Sequence, residues 1–268
     1  MYNFNFDSPI TIKEAVNLFE ASEHPKYLAG GMTLLAAMKQ KLSAPTNLID
    51  LSNIKALNEI SIVKNSIISI GSMCTHNEIA KSDIIKKEVP GLSYLASNIA
   101  DNAVRNRGTI GGSICNADPA ADFPAAILCL EASIITNLRT IQADKFFVDL
   151  FETNLEENEI VIRIDIPIVE SSNYYKFSSL ASKYAIIGIF SCVKNNKLYI
   201  SVTGAANKVF NLEELNNKPV DILDKFEIDS LDLSKYSINN DINASSEYRK
   251  SLIKTYVKKS LFRIINNE

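Results

Sequence analysis

The sequence predicts an α+β fold built from several small units. Short apolar strands alternate with short helices over residues 1–165, and two Gly-Gly pairs, Gly30-Gly31 and Gly111-Gly112, interrupt this alternation. Residues 169–268 instead show three strands and then one long helix. With 268 residues, 46% of them hydrophobic, the chain is long and apolar enough to bury a substantial core.

The first unit has a βαβ-like pattern. Thr11-x-x-Glu14 is a capping box that predicts a helix start. Residues 26–29 predict a buried strand, Gly30-Gly31 follows, and residues 32–41 predict a helix with lysines in its last turn. This order is typical of an anion site, because orphan N–H groups and the positive end of the helix dipole face one point.

The second unit is predicted from shorter signals. Residues 47–51 predict the second strand of the first unit, and the second unit begins with the hairpin 60–63 and 67–70, turned at Lys64-Asn65-Ser66. Its further predicted strands are 133–136, a strand from Ile141, and 159–166. Three helices are predicted in this unit. The first starts at the capping box Thr75-x-x-Glu78, the second has an apolar face over residues 92–100, and the third spans residues 120–130. A short helix and a turn are expected over residues 146–160.

The stretch from Val104 to Asp122 is the most unusual part of this unit. Gly111-Gly112 follows a short apolar pair and predicts a sharp turn with bare backbone N–H groups on one side. A diphosphate needs such a surface, because it must come close and meet several donors. The alternative is a tight turn that only reverses the chain.

The C-terminal unit is predicted as a three-stranded antiparallel sheet with a long helix. The strands are residues 174–178, 185–193 and 197–203, and Asn195-Asn196 is a turn pair. Residues 245–265 carry a broad apolar face at helical spacing.

Composition excludes several classes of function. The net charge of −3 gives no electrostatic basis for binding nucleic acid or an anionic membrane. No signal peptide or membrane-spanning run is visible, so a soluble cytoplasmic protein is expected. Four cysteines without a C-x-x-C and only two histidines leave little material for a metal site or a catalytic triad. Redox chemistry would therefore need a bound organic cofactor.

The two glycine pairs allow two interpretations. Neither belongs to a G-x-G-x-x-G fingerprint or to a P-loop, which disfavours both common nucleotide-binding motifs. The two pairs could clasp one diphosphate from both sides, or they could be unrelated turns. The residue pattern alone leaves both open.

A resemblance to a known family adds to this reading. The segments YLAGGMTLL with NLIDL behind it, IGSMCTHNEIA, and VRNRGTIGGSICNADPAADFPAAILCL occur in order. They resemble the flavoprotein (FAD-binding) subunit of the xanthine dehydrogenase and carbon monoxide dehydrogenase family of molybdenum hydroxylases. The third segment is long and specific, whereas the first alone would be a weak signal.

The resemblance implies a two-lobed, PCMH-type FAD-binding domain followed by a small α+β domain. The implied lobes are residues 1–57 and 58–168, and the C-terminal flavoprotein domain is 169–268. FAD would place its diphosphate between the two glycine loops. The residues implied to contact FAD are Lys26, Tyr27, Leu28, Ala29, Gly30, Gly31, Met32, Thr33, Ile99, Ala100, Thr109, Gly111, Gly112, Ser113, Cys115, Asn116, Asp122, Lys183 and Tyr184.

The resemblance also implies roles for some of these residues. The backbone N–H groups of residues 29–33 would face the diphosphate, and Asp122 would bond the ribityl or ribose region. Ile99 and Ala100 match positions near the adenine, Cys115 and Asn116 run beside the flavin, and Lys183 and Tyr184 close over the isoalloxazine. Met32-Thr33 departs from the usual loop, and Leu180 replaces a basic residue of the family.

Several of these residues also have simpler interpretations. Arg105 and Arg107 are either solvated or in contact with a phosphate or a partner subunit. Asp118 and Asp122 are acids of the kind found at helix starts, and Thr75 is a helix cap. Cys115 has no base to activate it, and Tyr184 fits a sheet core.

The function implied is that of an electron-transfer subunit. Electrons would pass from an iron–sulfur partner subunit through FAD to NAD⁺ or another acceptor. A purine or other N-heterocycle would be hydroxylated at a molybdenum cofactor on a further partner. The alternatives are a redox-inactive nucleotide-binding or assembly module and a free-standing flavin oxidoreductase.

Overall fold

The computed structural model describes residues 1–64 and 66–266, and only the backbone of residues 224 and 225. The strands are β1 (Asn5–Asp7), β2 (Pro25–Leu28), β3 (Asn47–Asp50), β4 (Ile60–Val63), β5 (Ile67–Gly71), β6 (Ser133–Thr136), β7 (Thr140–Gln142), β8 (Phe147–Asp149), β9 (Glu152–Thr153), β10 (Val161–Pro167), β11 (Ser171–Ser178), β12 (Ala185–Lys194), β13 (Lys197–Thr203), β14 (Phe210–Asn211) and β15 (Lys218–Pro219). The α-helices are α1 (Ile12–Glu20), α2 (Leu34–Lys39), α3 (His76–Lys81), α4 (Asp83–Glu88), α5 (Pro90–Ser97), α6 (Asn102–Arg105), α7 (Ile110–Asn116), α8 (Phe123–Cys129), α9 (Ala143–Phe146) and α10 (Ser246–Ile265). Short 3₁₀ turns cover Leu51–Asn53, Lys55–Leu57, Val220–Lys225 and Ile228–Ser230.

The first unit is a small parallel sheet in the order β1-β3-β2, and α1 and α2 follow β1 and β2 in the chain. Thr11 caps α1 by accepting from the Glu14 N–H at 3.2 Å. The Glu14 carboxylate accepts from the Ile10 N–H at 3.0 Å instead of returning to Thr11, so only half of the predicted capping box forms. Helix α2 is shorter than predicted, and Thr33 at its start makes no side-chain cap.

The second unit is a sheet in the order β4-β5-β10-β6-β7. Strand β10 lies at its centre and pairs antiparallel with both β5 and β6. The predicted hairpin of β4 and β5 forms, and Asn65 of its predicted turn lies outside the described residues. The second capping box is complete, because Thr75 and Glu78 each accept from the other's backbone N–H.

The stretch from residue 104 to 130 differs most from its prediction. Gly111 and Gly112 lie in the first turn of α7 and not in a bare turn, so that expectation is wrong. Helix α8 begins at Phe123 and not at residue 120, because Pro124 fits only in a first turn. The helix and turn expected after Phe146 are instead the short antiparallel pair β8-β9.

The C-terminal sheet is larger than predicted. Strands β11, β12 and β13 pair antiparallel as expected, but β14 and β15 add two-residue strands to β13. Asn195 and Asn196 both have positive φ, 53° and 57°, as the predicted two-residue turn requires. Helix α10 packs on β11 and β12, and its start is capped by Ser245.

A hydrophobic core that includes Phe19, Ile49 and Ile160 joins the first unit to the second. The two largest of the four cores formed by the described residues lie elsewhere. The larger one lies mainly between α3–α8 and the second sheet, but it also contains Tyr174, Phe190 and Cys192 of the C-terminal unit. The smaller lies between the C-terminal sheet and α10. Since one core crosses the junction near residue 168, the predicted domain boundaries remain predictions. No helix in the described ranges is both long and apolar enough to span a bilayer.

Candidate cofactor site

One cavity of about 660 Å³ collects residues from all three units of the chain. Its volume is within the roughly 300–1,000 Å³ of small-molecule and cofactor sites. All the residues that the sequence analysis assigns to FAD contact line this cavity, from Lys26 in β2 to Tyr184 before β12. The fold therefore brings the predicted set together in one place.

The two glycine loops touch each other at the cavity wall. A Cβ on Gly30 would lie 2.0 Å from the Arg107 carbonyl oxygen, and a Cβ on Gly112 would lie 3.4 Å from the Ala29 Cβ. Gly31 has φ +75°, a left-handed conformation that favours glycine. The pair Gly30-Gly31 is thus required by loop-to-loop contact at one residue and by backbone conformation at the other.

The first loop leaves its backbone donors available. Within the described residues, the N–H groups of Gly30, Gly31, Met32 and Thr33 donate no hydrogen bond, while the Gly31 carbonyl accepts from Leu35 at 3.0 Å. All four residues line the cavity. Adjacent unpaired N–H groups in a concave wall are suited to hold an anion such as a diphosphate.

The backbone N–H groups of the second loop are bonded to acceptors within the protein. The Gly111 N–H donates to the Ser72 carbonyl at 2.8 Å, the Gly112 N–H to Thr109 Oγ1 at 3.1 Å, and the Ser113 N–H to the Thr109 carbonyl at 3.0 Å. A Cβ on Gly111 would lie 2.6 Å from the Ser72 oxygen, so this glycine permits α7 to pack on the backbone beside β5. The second glycine pair shapes the cavity wall without supplying free N–H groups.

Asp122 joins the cavity to the C-terminal unit. Its carboxylate accepts from the Tyr174 hydroxyl and from Lys176 Nζ, which lies 2.9 Å from Oδ1 and 3.0 Å from Oδ2. Asp122 and Lys176 are both nearly buried. Burial raises the pKa of Asp122, and the Lys176 charge and the Tyr174 hydrogen bond oppose that rise. Both oxygens thus have protein partners from β11 before any ligand is considered.

His76 is a cavity residue that the sequence analysis did not single out. It is only 5% exposed, packs against Phe123 with ring centroids 5.2 Å apart, and has no partner for Nδ1 in the structure. Burial, followed by the positive charge of Arg105, lowers the pKa of His76 to about 4. The imidazole is therefore neutral at pH 7. Only its position after the Thr75 cap could have suggested it, because α3 points it back towards Gly108.

A second wall was also missed, formed by residues 155–157 and 159–161 before and at the start of β10. Glu159 fixes it by accepting from Arg139 Nη2 at 3.1 Å, from the Thr136 hydroxyl at 2.6 Å and from the Glu156 N–H at 2.9 Å. Burial alone would raise the pKa of Glu159, but these hydrogen bonds and the Arg139 charge lower it. The Glu159 carboxylate is therefore paired with protein groups and does not face a ligand as a free charge.

The remaining predicted residues show varied environments. Tyr27 stacks on Phe19 at 4.6 Å and donates to the Asn158 carbonyl at 3.2 Å, so its side chain has a structural role. Cys115 is exposed in the cavity wall, but desolvation by the surrounding protein raises the pKa of its thiol to about 12. The thiol therefore stays protonated. Lys183 is exposed with φ +62°, and Tyr184 is 43% exposed beside it.

The site has the features of a non-metal cofactor pocket. No cluster of three or more potential metal ligands occurs among the described residues. The unpaired N–H groups of the first loop and the unpartnered His76 Nδ1 are polar groups with capacity for a ligand. These residues fit a dinucleotide with a diphosphate, such as FAD, and they supply no nucleophile or base of their own.

Comparison with known proteins agrees with this geometry. Residues 2–169 match the family model described as the FAD binding domain in molybdopterin dehydrogenase. The chain is 30% identical over 275 residues to the glyceraldehyde dehydrogenase medium chain of Sulfolobus acidocaldarius, covering 96% of both chains. It is 36% identical over 185 residues to the carbon monoxide dehydrogenase medium chain of Hydrogenophaga pseudoflava, covering 67% of this chain and 64% of that one.

The structural comparison covers the entire fold. The chain superposes on a carbon monoxide dehydrogenase structure from Hydrogenophaga pseudoflava with a TM-score of 0.87 and 29% identity, over 97% of this chain and 96% of that one. The likeness therefore includes the C-terminal unit, which lies beyond the residues matched by the family model.

Proposed function

The chain belongs to the family of FAD-binding domains of molybdopterin dehydrogenases, and we propose that it is the electron-transfer subunit of a molybdenum hydroxylase complex. In this role it holds FAD between an iron–sulfur partner subunit and an electron acceptor, NAD⁺ or another molecule. A third subunit carries the molybdenum cofactor. The proposed place of action is the cytoplasm.

The observation that carries the proposal is the first glycine loop. Its four consecutive unpaired N–H groups line a cavity that also gathers all the residues assigned to FAD from the sequence. A diphosphate placed against them would satisfy groups that are otherwise left without partners, which explains their position at a concave wall.

The chain's own residues have positioning roles in this proposal. When bound, FAD supplies the one- and two-electron chemistry that the side chains lack. The N–H groups of residues 30–33 bind the diphosphate, and the contact of Gly30 with Arg107 holds the two loops together. Neutral His76 offers Nδ1 without adding charge, and protonated Cys115 presents an unreactive thiol beside the cofactor.

Purification of the chain with and without a co-expressed iron–sulfur subunit tests this proposal. We expect a yellow protein with a flavin spectrum that co-purifies with the iron–sulfur chain and is bleached by anaerobic addition of NADH or another reduced donor. A protein that stays colourless after FAD addition contradicts the cofactor assignment. Bound flavin that no donor reduces indicates a redox-inactive module, and turnover without a partner indicates a free-standing flavin oxidoreductase.

The substrate of the complex reacts on the molybdenum subunit, so the residues of this chain do not select it. The resemblance implies a purine or another N-heterocycle, whereas the relatives above are named for glyceraldehyde and carbon monoxide. Assaying the assembled complex with xanthine, glyceraldehyde and carbon monoxide under one set of conditions separates these proposals.

A further inference from the structure

A second cavity of about 340 Å³ adjoins the cofactor site and shares the residues Ala100 and Lys183 with it. We call it the basic cavity. Its lining residues are all neutral or basic: Tyr94, Ser97, Asn98, Ala100, Arg105, Lys176, Ser178 and Lys183. Neither the glycine loops nor the FAD assignment accounts for Arg105, which does not line the main cavity.

Within the part of the chain that the structure describes, the hydrogen-bond partners of Arg105 are all neutral. Its Nη1 donates to the carbonyls of Ile99 at 2.6 Å and Ala100 at 3.0 Å, and its Nη2 donates to Asn102 Oδ1. Ala100 has φ +42°, a left-handed turn that directs these carbonyls to the guanidinium. The Nε–H and one Nη2–H have no partner among the described residues, so Arg105 keeps donors for an oxyanion in the cavity it lines.

One of the two other cations that line the cavity adds to this charge. Lys176 is neutralised by Asp122, but Lys183 forms no ion pair with any residue of the described ranges, and neither does Arg105. Tyr94 and Ser178, whose side chains carry hydroxyl donors, line the same cavity. A partly buried guanidinium whose protein partners are all neutral keeps its positive charge available to an anion.

We propose that the basic cavity binds the phosphoryl group of a small ligand other than FAD. The remaining Nε–H and Nη2–H donors of Arg105 bind phosphoryl oxygens, and the exposed Lys183 adds a second positive charge. Because Ala100 and Lys183 belong to both cavities, the bound ligand lies beside the cofactor. No covalent step is involved.

Isothermal titration of inorganic pyrophosphate into the full-length, FAD-loaded protein at low ionic strength tests the proposal. We expect saturable binding that Arg105→Gln and Lys183→Gln each weaken by at least about tenfold, the equivalent of one lost charge-assisted hydrogen bond. Arg105→Lys should retain part of the affinity. The matched control is Arg163→Gln, since Arg163 on β10 lines neither cavity and should leave binding unchanged.

Parallel titrations identify the chemistry and the site. Sulfate should compete with pyrophosphate, and acetate should not. Absence of saturable binding at millimolar pyrophosphate, or equal binding by Arg105→Gln, overturns the proposal. Binding that occurs only in FAD-free protein and is displaced by FAD also overturns it, because the basic cavity would then belong to the cofactor's own phosphates. The flavin absorbance of each sample measures FAD retention separately, so a failure of the proposed function is recognised by itself.

Discussion

The two glycine pairs have the same sequence but opposite relations to the cavity they line. Gly30-Gly31 follows strand β2 and leaves four successive N–H groups unpaired, from Gly30 to Thr33. Gly111-Gly112 lies within α7, and its N–H groups are bonded to Ser72 and Thr109. The N–H groups of the first pair are free to bind a ligand, whereas those of the second pair are bonded within the protein.

This difference indicates a division of labour. A loop that binds an anion must keep donors unsatisfied until the ligand arrives, and it needs a rigid neighbour to remain folded in that state. The second stretch, from Arg107 to Asp122, is that neighbour: it is anchored to Ser72, to Tyr174 and to Lys176. Variants in the second stretch should therefore reduce stability most, whereas variants in the first loop should reduce FAD affinity most.

Asp122→Asn should have the largest effect on stability. It leaves the nearly buried Lys176 ammonium without its carboxylate, and breaking such a pair costs about 3–5 kcal/mol. The free energy of unfolding in urea measures this. The double variant with Lys176→Met should recover part of the loss, since it removes the unpaired charge. A stability equal to that of the wild type, with FAD affinity alone reduced, would show that Asp122 is a ligand contact only.

Gly111→Ala should cost about 3 kcal/mol, because the new Cβ would meet Ser72 backbone oxygen at 2.6 Å and that backbone is fixed in the sheet connection. Gly112→Ala is the matched control. Its Cβ would meet the Thr109 side chain at 3.0 Å, and the gain of about 0.5–1 kcal/mol from replacing a helical glycine offsets this. The melting temperatures of the two variants should differ clearly. Equal melting temperatures would contradict the tight packing of Gly111 in α7 against the Ser72 backbone.

His76 should make the free energy of unfolding of the protein sensitive to acid. Its pKa is about 4 in the folded protein and about 6.5 in the unfolded chain, so the unfolded state binds a proton first as the pH falls. The stability contributed by neutral His76 is complete above pH 6.5 and is lost towards pH 4, by about 3 kcal/mol. Urea unfolding of the wild type and His76→Gln across this range measures it. Parallel pH profiles for the two proteins would refute the assignment.

Gly31→Ala should have the smallest effect on the fold and the clearest effect on FAD. A left-handed alanine costs about 1–2 kcal/mol, and relief of that strain would turn the neighbouring N–H groups away from the cavity. We expect FAD affinity to fall by about tenfold. Met32→Ala is the control, since it changes an exposed side chain and keeps every backbone donor. A greater loss of FAD from Met32→Ala than from Gly31→Ala would show that the side chain, and not the backbone, binds.

The residue pattern predicted those features that depend on neighbours in sequence. The complete cap at Thr75 and Glu78, the asparagine turn at residues 195 and 196, and strands such as β4 and β13 all follow from local bonding and alternation. Strands β14 and β15 were missed because two residues carry no periodicity, and they form only where β13 offers a free edge.

The site divides in the same way. Sequence reasoning found the residues of both glycine loops, because Gly-Gly is conspicuous and the family resemblance extends over it. It did not find His76, whose cavity position depends on Gly108 and Phe123, or Glu159, whose charge is absorbed by Arg139. These roles arise from contacts between residues far apart in the chain.

The sequence by itself determined the α+β class, the positions of the glycine pairs and the family to which the chain belongs. Only the tertiary structure decided which pair stays open. Glycine permits close approach and unusual φ values at both positions, but whether an N–H group is free depends on what packs against it. The Ser72 carbonyl packs against Gly111 and accepts its N–H, whereas the N–H of Gly31 has no protein acceptor beside the cavity.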